Sequence, residues 1–228
     1  MSACTDVPDA PLSVAVSIPP QAYFVEQVGG PLLDVQVLLP PGHSPATYEP
    51  TPLQVARLTG SKVWFTVGVP FESRLVARGL AGGKGPIIAD TRDGIELRPI
   101  SGHRHDGTDE NHGLLDPHTW LDPRHAKIMA ATICSALVEI SPMHEMVFRA
   151  NLARFQQELD SLHSEISLLL SPFRGRAIHV FHPAYGYFCD AYGLRQVAIE
   201  SEGKEPSARQ LASLIEEAER SGVRTLFV

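Results

Sequence analysis

Short apolar runs alternate with amphipathic segments over the first 91 residues of the chain. The predicted strands are 13–18 (SVAVSI), 34–40, 62–68 and 86–91. The predicted helices are 21–28, 52–59 and 70–80. Glycine or proline stands at or beside most of the boundaries between these segments, as expected for residues that end regular structure. Strands that alternate with helices predict an α/β fold, in which helices cover both faces of a parallel sheet.

Two long helical patterns follow, at 124–140 and 142–171. In the second, apolar residues recur every three or four positions: Phe148, Leu152, Phe155, Leu159, Leu162, Ile166 and Leu169. Ser141 and Pro142 are typical of a helix start, and Pro172 stands just past the end. At about 1.5 Å per residue, such a helix would be a rod of roughly 45 Å. It is long enough to link two lobes.

The alternation of strands and helices resumes after Gly175. The predicted strands are 177–182, 195–200 and 223–228, and the predicted helices are 183–192 and 207–221. We therefore predict two parallel-sheet α/β lobes bridged by one long helix. The predicted parts are an N-terminal lobe at 12–140, the linking helix at 142–171 and a C-terminal lobe at 175–228. The pattern stops inside a strand, so we expect this second lobe to be incomplete and the chain to be part of a longer protein.

Composition and charge exclude several classes of function. The 228 residues carry a formal net charge of −7, and no basic stripe is present for phosphate contacts, so we expect no nucleic-acid partner. No apolar run approaches the roughly 20 residues of a membrane span. The three cysteines lack CxxC spacing, and Cys134 and Cys189 lie in apolar patterns typical of buried free thiols.

Three histidines stand at or near the predicted carboxyl ends of strands or in proline-bounded loops. They are His43 in PGHSPATYEP, His118 in DPHTWLDP and His182 at the end of AIHVFH. Ligands of α/β sheets bind beyond the carboxyl ends of the strands, and three neutral imidazoles with one oxygen ligand suit a tetrahedral divalent cation. Solvated loop histidines would give the same irregular spacing, so the spacing leaves both interpretations open. The histidines not predicted as ligands are His125, His144, His163 and His179.

Four motifs occur in order along most of the chain: PPGHSPATYEPTP, DPHTWLDP, VFHPAYGYF and ESEGKEPSARQL. Together they resemble the zinc- and manganese-binding solute receptors of bacterial ABC importers. The resemblance implies two α/β lobes joined by a long helix, with the metal ion bound in the cleft between them. It implies that the protein is a receptor and not an enzyme. Such a receptor captures the ion outside the cytoplasmic membrane and passes it to a permease and its ATPase.

The resemblance also implies a ligand set. His118 and His182 match the family's second and third histidines, and histidine at the third place favours Zn²⁺ over Mn²⁺ as cargo. The family's first histidine directly follows a proline, where this chain has Ala46. We predict that His43 replaces it; the alternative is a site of two histidines and water. Glu49 is a weaker candidate for an oxygen ligand, and the family's fourth ligand, an aspartate, is expected beyond the end of the chain.

The resemblance has further implications for location and assembly. It implies export to the periplasm or the extracellular face of the cell membrane, and Cys4 is then a candidate lipid tether. We expect a monomer. The loop at 101–115 contains His103, His105 and His112, and it either collects metal weakly or is simply solvated.

Two other functions compete with metal import. Some members of the family act as surface adhesins, so the same fold would serve host attachment. A zinc hydrolase is less well supported: three histidines with an open position is also a catalytic pattern, yet HExxH, GxSxG and a placed general base are absent from the sequence.

Overall fold

The fold is α/β, with parallel sheets and one long helix, as predicted. In this computed structural model the described residues are 10–80, 85–100, 115–200, 212 and 225–227. The chain divides into two compact units. The first unit comprises Met1–Thr91 and Met129–Gln156, and the second comprises Arg92–Ile128 and Gln157–Val228.

The first unit contains a sheet of four parallel strands. They are β1 (Leu12–Val16), β2 (Leu33–Val37), β3 (Val63–Thr66) and β4 (Ile87–Asp90), in the order β2-β1-β3-β4. Val14 of β1 is in register with Val35 on one side and Val63 on the other. The central strands are buried on both faces, which explains why their sequences are continuous apolar runs without polar alternation.

Helices connect the strands. They are α1 (Pro19–Gly29), α2 (Pro52–Gly60) and α3 (Pro70–Leu75), and a π-helical turn, Val76–Leu80, extends α3. Each begins with proline, whose missing N–H and fixed φ suit the first helical position. At the start of α2, Thr51 Oγ1 accepts a hydrogen bond of 3.3 Å from the backbone N–H of Gln54. The predicted helices are therefore confirmed near their predicted ends.

Two further helices belong partly to each unit. They are α4 (Pro123–Ile140) and α5 (Glu145–Leu170). With 26 residues, α5 is about 39 Å long. Phe148, Phe155 and Leu159 are buried, but Leu162 and Leu169 are 45% and 62% exposed. The apolar stripe of α5 is thus buried only in its N-terminal part, because apolar spacing reports which residues could pack and not which have a partner.

The second unit contains the parallel pair β5 (Ala177–Val180) and β6 (Arg195–Ala198), with α6 (Gly186–Tyr192) between them. Phe227 forms a parallel bridge to Val180, beside the pair. The predicted strand 177–182 ends at Val180, so His182 lies in the following loop and is not a strand residue. The second unit also begins its helix later than predicted, since the Pro183 region forms bends before α6.

Cys134 and Cys189 are buried free thiols, as predicted, and burial raises the pKa of Cys189 to about 11. Cys4, the helix at 207–221 except Ala212, and the loop at 101–115 except Leu115 lie outside the described residues. Among the helices that are described, none has both the length and the apolar content that a membrane span requires.

His125, in the first turn of α4, is a half-buried imidazole that was not predicted to bind metal. Its ring packs against the edge of Tyr187, with 5.1 Å between centroids, and its Nδ1 is buried with no hydrogen-bond partner in the described part of the chain. Burial lowers the pKa of His125; Asp122 opposes this shift and Arg124 adds to it. The His125 imidazole therefore binds a proton less readily in the folded protein than in the unfolded chain.

This difference predicts a pH-dependent stability. The contribution of neutral His125 is complete above the ordinary imidazole pKa of about 6.5, and it is lost as the pH falls through the lowered native value. We expect metal-free wild type to lose stability relative to His125→Phe as the pH is lowered from about 8 to about 5. Urea unfolding of both proteins at each pH measures the difference, since groups common to both cancel. Parallel pH profiles would contradict this account of His125.

Candidate metal centre

The structure brings two of the three predicted ligands together. His118 and His182 both belong to the second unit, and their Nε2 atoms lie 3.2 Å apart. The two rings meet edge to face, with 5.0 Å between centroids and 72° between planes. The third predicted ligand, His43, belongs to the first unit and is described below.

Local sequence orients His118. Asp116 Oδ1 accepts hydrogen bonds from the backbone N–H of His118 at 3.0 Å and from its Nδ1 at 2.7 Å. An aspartate that bonds to the backbone two residues ahead forms an Asx-turn, which the intervening Pro117 stiffens. Trp120 packs on the ring at 5.1 Å. The side chain of His118 is only 12% exposed, so its orientation is fixed by its own loop.

Sheet register orients His182. Val180 of β5 pairs with Ala198 of β6, and His182 and Glu200 each lie two residues past these partners. Neighbouring parallel strands end at the same edge of a sheet, so these two side chains come together there. His182 Nδ1 lies 2.9 Å from Glu200 Oε2. This contact joins residues that are 18 positions apart, in contrast to the local contact behind His118.

The two carboxylates decide what the facing nitrogens can do. A carboxylate only accepts hydrogen bonds, so each contact favours the ring with the proton on Nδ1, in which the neutral ring has its lone pair on Nε2. Two lone pairs at 3.2 Å repel each other unless a proton or a cation lies between them. Tetrahedral zinc with Zn–N bonds of 2.0–2.1 Å separates its ligand nitrogens by about 3.3–3.4 Å. The chemistry and spacing of the pair fit a zinc ion.

The pair would supply only two of the ligands that a zinc ion takes. In the described ranges, no group of three or more His, Cys, Asp or Glu side chains could hold a metal ion. Zinc sites in proteins have at least three protein ligands as a rule. The pair therefore needs ligands from elsewhere in the protein or from water.

His43 is exposed in the loop between β2 and α2. Its Nδ1 lies 3.4 Å from the carbonyl oxygen of Pro41, at the limit of a hydrogen bond. Its ring meets the edge of Tyr48, with 5.6 Å between centroids. Because these contacts are weak and the ring is exposed, the imidazole is accessible to a metal ion.

The loop that carries His43 is anchored at its far end. The Tyr48 hydroxyl lies 2.7 Å from the carbonyl oxygen of Leu38 and 2.8 Å from Gln54 Oε1. Arg74, on α3, donates to the carbonyl oxygens of Ala46 at 3.3 Å and Tyr48 at 2.8 Å. The loop is therefore held by the first unit even though most of its residues are exposed.

Glu49, the weaker candidate for an oxygen ligand, has another partner. Its Oε1 lies 3.1 Å from Arg78 Nη2, and both side chains are 63% exposed. An exposed ion pair of this kind contributes at most about 1 kcal/mol. The contact accounts for Glu49 without a metal and favours its interpretation as a surface residue.

Asp116 and Glu200 were not predicted to belong to the site. A local signal pointed to Asp116, since an aspartate two residues before a histidine and separated from it by proline is typical of an Asx-turn. Glu200 gave only a weaker signal, as the predicted end of the strand beside AIHVFH. Its contact with His182 depends on the register of β5 and β6, which the sequence does not state.

Comparison with known proteins identifies the family to which this chain belongs. The family model described as zinc-uptake complex component A, periplasmic, matches residues 14–228. The high-affinity zinc uptake system protein ZnuA of Yersinia pestis is 32% identical over 205 residues, which cover 81% of this chain and 64% of that protein. The chain thus spans less than two thirds of the length of this relative.

Solved structures agree with this match. A zinc-bound crystal structure of a ZnuA deletion mutant has a TM-score of 0.84 and 36% identity, covering 95% of this chain and 80% of the other. The laminin-binding protein Lmb of Streptococcus agalactiae, described as having adhesin and metal-transporting activity, has a TM-score of 0.80 and 25% identity, covering 95% and 79%. By the match over nearly its whole length, the chain belongs to the ZnuA family of zinc-uptake components.

Proposed function

We propose that this protein is an extracytoplasmic receptor that captures Zn²⁺ and delivers it to an ABC permease and its ATPase for import. The observation that carries the proposal is the pair of Nε2 atoms of His118 and His182, 3.2 Å apart, with a carboxylate against each Nδ1. Membership of the zinc-uptake family supports the same function. Capture and delivery involve no reaction, so the protein is a binding protein and not a zinc hydrolase.

The donor atoms favour zinc over manganese. Imidazole nitrogen suits zinc, whereas manganese is typically held by carboxylate, carbonyl and water oxygens. Both carboxylates near the pair are turned to the Nδ1 side of a ring, away from the facing nitrogens. The relatives named for zinc uptake support this choice of cargo.

We further propose that His43 supplies the third imidazole. The proposal rests on its exposed ring, its weak contact with Pro41 and the anchored loop beneath it. A rigid loop presents a ligand without a large loss of conformational entropy on binding. Ala46, at the family's usual histidine position, is exposed in the same loop.

Zinc binding tests the proposal directly. We expect His118→Ala and His182→Ala each to weaken zinc binding by more than about 100-fold, because a direct ligand should cost at least as much as the groups that support it. Affinity should also fall on acidification, since a ligating imidazole must be neutral and protons compete with the ion for its lone pair. Competition with a chromophoric zinc chelator measures both effects.

His179→Ala is the matched control for this measurement. His179 lies on β5, three residues before His182, and was not predicted to be a ligand. Its replacement should leave zinc affinity unchanged. Retention of wild-type affinity by either His118→Ala or His182→Ala would refute the proposed site.

The role of His43 has a separate test by loss and recovery. We expect His43→Ala to weaken zinc binding by about 10-fold or more, and a second change, Ala46→His, to restore most of the affinity by returning an imidazole to the family's position. Thr47→Ala, in the same exposed loop, is the control. If His43→Ala binds zinc as wild type does, the third ligand is water or another side chain.

Growth of a deletion strain distinguishes delivery of zinc to a permease from a function in adhesion. We expect deletion of this gene to slow growth of the source bacterium in zinc-depleted medium, with recovery on added zinc. The wild-type gene should restore growth, whereas the double variant His118→Ala/His182→Ala should not, because it cannot load the cargo. Undiminished growth of the deletion strain together with laminin binding by the purified protein would favour the adhesin function of the relative Lmb.

The remaining expectations concern location and assembly. We propose a periplasmic or extracellular location and a monomer, and Cys4 stays a candidate tether. The family description supports a periplasmic location.

A further inference from the structure

We propose that Asp116 and Glu200 are positioning residues, which do not touch the zinc ion but hold the proton on Nδ1 of His118 and His182 and thereby turn both Nε2 atoms toward one ion. The inference rests on the proposed function, because it assigns a role to residues behind the proposed ligands. It commits to two specific carboxylates and to one tautomer of each ring.

The contacts exclude both carboxylates as ligands of the same ion. Asp116 Oδ1 is 2.7 Å from Nδ1 of His118, and Glu200 Oε2 is 2.9 Å from Nδ1 of His182. Nδ1 and Nε2 lie on different edges of an imidazole ring, so an ion bound at Nε2 is beyond reach of an oxygen that is bonded to Nδ1. The carboxylates therefore act through the rings.

Asp116 is fixed from several directions. Its side chain is 2% exposed, its backbone N–H donates to the carbonyl oxygen of Arg98 at 2.8 Å, and its carbonyl oxygen accepts from the Tyr187 hydroxyl at 3.0 Å. A Cβ on Gly186, at the start of α6, would lie 2.8 Å from Asp116 Oδ2 and 2.7 Å from Arg98 Nη1. Helix α6 thus packs directly against this carboxylate, and this packing supports the local contacts that orient His118.

Glu200 is fixed by the continuation of the sheet. Its backbone N–H donates to the carbonyl oxygen of Phe181 at 2.9 Å, and the N–H of Ile199 donates to Val180 at 3.0 Å. Its side chain is 14% exposed, whereas that of His182 is 49% exposed. The mostly buried Glu200 carboxylate therefore holds the ring of His182, which is otherwise half exposed to solvent.

The carboxylates of Asp116 and Glu200 control which nitrogen of each histidine ring carries the proton. A carboxylate can only accept, so it stabilises the ring with the proton on Nδ1 and the lone pair on Nε2. A glutamine in place of Glu200 can present either its carbonyl oxygen or its amide N–H to Nδ1, so it also admits the ring with the proton on Nε2, which weakens metal binding there. Removing an outer partner of a metal-binding histidine typically costs about 10- to 100-fold in metal affinity.

Glu200→Gln in the whole chain tests this inference without removing a ligand. Glu165→Gln is the matched control, since it makes the same change at an exposed position of α5 in the same unit. Long-range ¹H–¹⁵N spectra of the metal-free proteins report which nitrogen of each imidazole carries the proton. Competition with a chromophoric chelator reports zinc affinity, and far-UV circular dichroism checks the fold.

We expect wild type and Glu165→Gln to have protonated Nδ1 on both His118 and His182. In Glu200→Gln, the fraction of His182 rings with the proton on Nδ1 should fall while His118 is unchanged, and zinc affinity should fall about 10- to 100-fold. The wild-type spectrum alone tests the role of Asp116, so no variant of this buried residue is required.

Several results would overturn the inference. A wild-type ring with an unprotonated Nδ1 contradicts the role of the carboxylate behind it. For Glu200, so does an unchanged tautomer in Glu200→Gln, or a changed tautomer with wild-type zinc affinity. A wild type that binds no zinc is a different result: it refutes the proposed function, whereas the protonation of Nδ1 is still read from the metal-free spectra.

Discussion

The parallel pairing of β5 with β6 is the constraint on which the candidate site depends. Because Val180 and Ala198 are in register, the residues two positions beyond them meet at the same edge of the sheet, and His182 acquires Glu200 as its partner. That contact favours the proton on Nδ1 of His182. A shift of the register by one residue would separate the two side chains and turn one of them to the opposite face.

The two histidines of the pair are supported by different means. Asp116 holds His118 through two hydrogen bonds inside one short proline-bounded loop, so that ring is oriented by local sequence. His182 is oriented by a partner from the neighbouring strand and is half exposed. The two rings thus differ in how they are held: His118 depends on contacts within its own loop, whereas His182 depends on a contact with a residue 18 positions away.

The sequence predicted most of the architecture, because strand and helix patterns are local. Continuous apolar runs identified the buried strands, and proline and glycine marked their ends. Predictions that depend on contacts with residues distant in sequence were less complete. Leu162 fits the apolar stripe of α5 but is exposed, and the strand predicted at 177–182 stops before His182. The boundaries 12–140, 142–171 and 175–228 and the role of His43 stay predictions.

The sequence by itself determined the α/β fold class, the long helix and the rigid loops that carry His43 and His118, because spacing, proline and a local Asx-turn act over a few residues. Only the tertiary structure decided that Nε2 of His118 and Nε2 of His182 face each other at 3.2 Å, with Glu200 behind the second ring. Those contacts join residues 64 and 18 positions apart. Their geometry follows from strand register and packing, which a linear pattern of residue types does not specify.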